Sequence, residues 1–144
     1  VPRFFNLLEA EVLLPEVQRL VRGLIDYKSE FEEAAEGLLL IAQRITIMGG
    51  MVPPHDAVAL LRNRKNAAVR ASRFAVDQLH HKGCQLQDLE TGRVDFPTLY
   101  RGQEVCLSWK LGEEKIAFWH HLDDGEASRQ AIDSEFLKNH HGEE

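Results

Sequence analysis

The side chains best suited to chemistry in this chain fall in its second half: Asp95, Trp109, Trp119, His120, Asp123 and Arg129. An imidazole changes charge near neutral pH, so His120 can serve as acid, base or ligand once a partner fixes its tautomer. Asp95 and Asp123 are the carboxylates offered for that task. The tryptophans and Arg129 would surround such a cluster with stacking surface and charge. The same six residues also suit a structural role, in which His120 closes an apolar sheet face and hydrogen-bonds to one of the acids. Sequence leaves both readings open.

Seven histidines invite a test for metal. Six of them form adjacent pairs, His80 with His81, His120 with His121 and His140 with His141. Neighbours diverge by about 100° on a helix and point to opposite faces on a strand, so neither geometry chelates well. Cys106 is expected to face His121 across a hairpin, but two ligands fall short of a structural or catalytic zinc set. No metal and no cofactor is therefore expected. Gly-x-Ser-x-Gly is absent, leaving Ser108 without a nucleophile motif. Gly49-Gly50 follows a helical pattern and is no phosphate loop.

Charge narrows the partners. Seventeen Lys and Arg against twenty-three Asp and Glu give −6, which disfavours polyphosphates. The basic stretch Arg62 to Asn66 with Arg70 and Arg73 is matched by Glu30, Glu32, Glu33 and Glu36 on a facing helix, with Glu30 expected by Arg73 and Glu33 by Arg70. Nucleic acid is accordingly disfavoured. No uninterrupted apolar run exceeds five residues, as in Leu38 to Ala42, far below the roughly 18 that suggest a membrane span. Two cysteines without a Cys-x-x-Cys motif suit a reducing, cytoplasmic location.

The elements that must position these residues follow from periodicity. Asn6 and Glu9 have capping-box spacing, so a helix starts near Leu7. Pro15 is expected to kink or end it and to open a second helix. From Val17 to Met48 apolar residues advance by threes and fours as a coiled-coil seam. Gly49, Gly50, Pro53 and Pro54 make a turn, and helical spacing returns from Ala57 to Lys82 until Gly83. The period then becomes alternation: Cys84 to Leu89, a short piece Val94 to Phe96 stopped by Pro97, and a hairpin about Glu113-Glu114. That hairpin is expected to set Leu111 opposite Ile116, Trp109 opposite Phe118 and Leu107 opposite His120. A short helix is expected near Asp133 to Leu137.

Several runs resemble the bacterial domain-of-unknown-function family numbered 2203: Asn6 to Ala10 with Leu13-Leu14-Pro15, Gly83 followed by Leu86 to Leu89, Gly92 to Pro97, Trp109 to Glu113 and Ile116 to His120. The likeness runs from Phe4 to about Arg129. Where the family pattern has Gly-x-x-Gly-Arg after the histidine, this chain has Gly125-Glu-Ala-Ser-Arg129. The resemblance implies a small bacterial protein and carries no activity with it.

The expected fold is α+β: a long antiparallel helical hairpin over residues 15–82, a small antiparallel sheet over 84–122 and a short N-terminal helix. Residues 1–137 are expected to form one domain and 138–144 to fray. Pro15 to Met48, fully helical, would span about 51 Å, so the hairpin is expected to project. Leu38, Leu39, Leu40 and Ile41 cover most of the helix circumference, and one partner helix cannot bury them all. A non-enzymatic homodimeric scaffold or partner-binding module joined through these leucines is the leading expectation. The alternative is an enzyme or small-molecule-binding protein with its site around His120.

Overall fold

The computed structural model describes residues 3–50, 52, 54–123 and 128–143; Pro53 of the expected turn and Gly125 to Ala127 of the Gly125–Arg129 run lie outside the described residues. The chain divides into two compact units, one of Val1–Arg22 with Val76–Glu144 and one of Gly23–Ala75. Among the described residues, no helix is long and apolar enough to cross a membrane.

The capping box at the start of α1 (Leu7–Ile47) forms as its spacing requires: Glu9 N donates to Asn6 Oδ1 at 2.7 Å, and Asn6 N to Glu9 Oε1 at 3.1 Å. The expected break at Pro15 does not occur. Pro15 sits inside one unbroken helix on its exposed side, where solvent can satisfy the Glu11 carbonyl left without its N–H, while Leu14 and Val17 are buried. There is therefore no separate short N-terminal helix. The short helix lies at the C-terminal end, and the fold is a long helical pair followed by a six-stranded sheet and that helix.

Within the unit Gly23–Ala75, α1 packs against α2 (His55–His81) through small residues. Ala34 and Ala68 are buried, and a Cβ on Gly37 would come within 3.0 Å of Leu61 Cδ1. Charge matching across the pair is present with a different cation from the one expected. Arg64, rather than Arg70 or Arg73, reaches Glu30 at 2.8 Å and Glu33 at 3.4 Å. Leu38 and Ile41 are half-buried, whereas Leu39 and Leu40 are 56% and 57% exposed.

In the other unit, α2 ends in a Schellman arrangement: Cys84 N donates to Leu79 O and Gly83 N to His80 O. Gly83 has φ +89°, and a Cβ there would lie 2.9 Å from Arg3 Cβ, so both backbone and space require glycine. The sheet follows in the order β1 (Gln85–Asp88), β2 (Arg93–Tyr100), β3 (Gln103–Trp109), β4 (Phe118–His121) and β5 (Gln130–Ala131). After α3 (Ser134–Asn139), β6 (His140–His141) pairs with β2. All pairings are antiparallel. The residues expected to fray are thus partly ordered, with His141 opposite Leu99 and His140 opposite Tyr100.

Pro97 does not stop β2. Its carbonyl accepts from Phe5 N at 2.7 Å, so its missing N–H points away from β3, into the gap between β1 and β6, and breaks no ladder bond. The strand turns into β3 through Arg101 (φ 52°) and Gly102 (φ 80°), the positive pair that a tight hairpin needs.

The β3–β4 register differs by one residue from that expected. Cys106 lies opposite His120, Leu107 opposite Trp119 and Ser108 opposite Phe118. Residues 110–117 form a wide loop rather than a tight turn. It is held where Trp109 Nε1 donates to Glu113 O (2.9 Å), Lys110 N to Glu113 Oε1 (2.8 Å) and Leu111 N to Gly92 O (3.2 Å). Trp109 is fully buried as expected, but Phe118 and His120 belong to the other face. One sheet face thus carries Val94, Phe96, Val105, Leu107, Trp109 and Trp119, all buried. Phe136 of α3 stacks on Trp119 (4.8 Å between rings) and on Tyr100 (4.9 Å).

Candidate functional site

The face opposite that apolar core is small, polar and closed. Strand pairing places Asp95 opposite Ser108, and Cys106 opposite His120, so alternation brings Asp95, Cys106, Ser108 and His120 to one side of the sheet. Their exposures are 2% for Asp95, 3% for Cys106 and 3% for His120. His120 Nε2 lies 3.1 Å from Asp95 Oδ2, and His120 Nδ1 lies 2.8 Å from the carbonyl oxygen of His121. A carbonyl only accepts, so Nδ1 carries a proton. The contact between Nε2 and the carboxylate therefore holds one further proton, on the ring or on the acid.

The charges around this pair pull in opposite directions. Burial pushes the Asp95 carboxyl above the usual carboxylate range, opposed by His120, Arg93 and Arg129. Arg93 Nη1 stands 3.7 Å from Asp95 Oδ2. Asp95 Oδ1 and Arg93 Nε, both buried, have no hydrogen-bond partner among the described residues. Burial, with Asp95 and Glu104 adding negative charge, pushes the Cys106 thiol up to about 12. As it stands that sulfur is a protonated, weakly nucleophilic group.

One donor atom from each of Asp95, Cys106 and His120 lies within 4.8 Å of the others. The set exceeds what the sequence suggested, because the shifted register gives Cys106 the company of His120 in place of His121. Cys106 and Arg93 are the site residues that sequence reasoning missed. Arg93 carried a signal, since it stands two residues before Asp95 on the same strand and so shares its face.

The other expected residues divide. Arg129 donates from Nε to Ser108 Oγ (3.1 Å), pairs with Glu113 (2.8 Å) and lies over the Phe118 ring (4.3 Å). It flanks the cluster without bonding to the His120–Asp95 pair. Trp109 and Trp119 are on the opposite face. Asp123 is exposed in the turn after β4 and is not His120's partner. Beside the cluster, Gln85, Pro97 and Glu104 share its sheet face by register and line a cleft of about 310 Å³ with Arg3, His80, Gly83 and Cys84.

A helical pair and an antiparallel sheet that buries an Asp–Cys–His cluster on one face define the class of protein. The chain belongs to the family described as "Uncharacterized conserved protein (DUF2203)", whose model matches residues 3–132. No curated protein and no solved structure matches it.

Proposed function

We propose that this protein binds a small ligand at the polar sheet face, with His120 as the central group and Asp95, Cys106 and Arg93 around it. The observation that carries this reading is Asp95 Oδ1, a buried carboxylate oxygen with no partner beside a histidine whose other nitrogen is already fixed. Leaving such an atom unsatisfied costs on the order of 1–3 kcal/mol or more, so a group that completes its bonding would be held. The cleft lined by Gln85, Pro97 and Glu104 supplies space next to the cluster. The His120–Asp95 pair is suited to moving a proton, and proton-transfer catalysis is the activity such a site would support.

The test is nitrogen-15 correlation of the His120 ring during titration with small-molecule sets. Displacement of the Nε2 signal by a compound, removed in Asp95→Asn, supports the reading. A ring signal that no compound moves, in protein whose Asp95→Leu/His120→Leu variant is less stable than the parent, would overturn it in favour of a purely structural pair.

A second reading, assembly as a homodimer through the helices, has its own support in the exposure of Leu39 and Leu40, together with Ile47, Met48 and Leu60. Large apolar side chains exposed on helices are what a partner surface would cover. It concerns a different surface and is compatible with the first.

A further inference from the structure

Resting on the reading of the polar sheet face as a ligand site, we infer that its occupant is a single divalent transition-metal ion held by His120 Nε2, Cys106 Sγ and an Asp95 carboxylate oxygen. Ligand bonds of about 2.0–2.3 Å set tetrahedral donors roughly 3.3–3.8 Å apart. The three donor atoms, none more than 4.8 Å from another, need to close by only about 1 Å to reach that spacing.

The second coordination sphere is already built. His120 Nδ1–H donates to the His121 carbonyl, which leaves Nε2 as the ligating nitrogen and orients the ring. Asp95 Oδ1 is buried without a partner, so the carboxylate has a free oxygen for the ion or for a water on it.

Charge counting supports a divalent ion in a place this dry. Without metal, the His120–Asp95 contact holds one proton beyond Nδ1–H and Cys106 holds another, and the three side chains together are neutral. A divalent cation that replaces both protons leaves aspartate, thiolate and neutral imidazole around it, again with zero net charge. Burial, which opposes any change in net charge, does not oppose this exchange. The surrounding charges are Arg93 on β2, Glu104 on β3, Glu113 in the 110–117 loop and Arg129, and the last is already paired with Glu113.

The donor set also selects among metals. A thiolate with an imidazole favours zinc or a neighbouring first-row ion over magnesium or calcium, which take oxygen donors. Three protein ligands leave a position for water or substrate, the composition of a catalytic rather than a structural centre.

The experiment is titration of metal-free full-length protein with Co²⁺, followed by absorption, then competition with Zn²⁺. The expected result is one ion per chain, a sulfur-to-cobalt charge-transfer band and its loss on Zn²⁺ addition. Cys106→Ser should remove the band, and His120→Gln should lower affinity at least tenfold. Circular dichroism confirms that each variant is folded, and Cys106→Ser, nearly isosteric, remains informative if His120→Gln does not fold. No cobalt uptake, or uptake unchanged in Cys106→Ser, would overturn the inference. If Zn²⁺ leaves the His120 ring nitrogens unmoved while an organic compound shifts them, the metal assignment fails and the ligand-site reading survives.

Discussion

Asp95 Oδ2 and His120 Nε2 stand 3.1 Å apart on the same face of the sheet, although β3 runs between β2 and β4 and 25 residues separate the two in sequence. Both side chains are buried. Breaking a buried pair from one side leaves an orphan, which typically costs about 3–5 kcal/mol. Asp95→Leu and His120→Leu are each expected to destabilise the protein by that order in urea unfolding. The double variant should cost less than the sum, because no orphan remains.

The two buried thiols give the protein an alkaline limit. Burial pushes both Cys84 and Cys106 up from 9.0 to about 12. A raised folded pKa means that the contribution to stability is complete below the unfolded value and is lost as pH rises towards the folded one. Stability should therefore decline between pH 9.0 and about 12, by up to about 1.4 kcal/mol per pH unit for each thiol. Urea midpoints at stepped pH check this, and Cys84→Ala/Cys106→Ala should flatten the decline.

Trp109 fills the apolar sheet face and closes the 110–117 loop through Nε1 and the Glu113 carbonyl. Trp109→Ala is expected to cost about 3–5 kcal/mol. Trp109→Phe keeps most of the volume and should cost less, which chemical denaturation followed by far-ultraviolet circular dichroism can resolve.

His140 ties the end of the chain to the start of α1. Its Nε2 accepts from Leu7 N at 3.0 Å, and its ring stacks on Phe136. His140→Ala removes an acceptor from a helix N-terminus and is expected to lower stability by about 1–2 kcal/mol. Amide hydrogen exchange should quicken at Leu7 first.

The exposed Leu39 and Leu40 set a test for assembly. Light scattering at micromolar concentration is expected to give a dimer that Leu39→Glu with Leu40→Glu converts to monomer. A parent that is already monomeric would remove the second reading.

Which parts of this molecule were readable in advance follows from range. Local signals agree with the structure: the Asn6–Glu9 box, the Gly83 stop and the short helix expected near Asp133 to Leu137, which is α3. Signals that depend on a neighbour do not. Pro97 looks like a strand stop until β1 and β6 leave a gap for its missing N–H, and Pro15 looks like a break until its position on the exposed side is known. Arg101-Gly102 lacks the asparagine or aspartate that usually marks such a turn, so the β2–β3 hairpin was hidden. The site depended on a single register step. Glu113 reaches back to Trp109 and Lys110 and widens the loop, and that step moves Cys106 from His121 to His120. His120 was legible as the central group with Asp95 or Asp123 as its partner, whereas the choice of Asp95 and the third donor were not.

Anomalous diffraction at the zinc edge, from crystals of full-length protein purified without chelators and soaked in zinc, tests the metal site most directly. The expected result is one strong peak within bonding distance of His120 Nε2, Cys106 Sγ and an Asp95 oxygen. Zinc bound only at surface histidines such as His80 and His81, with none between those three donors, would contradict it.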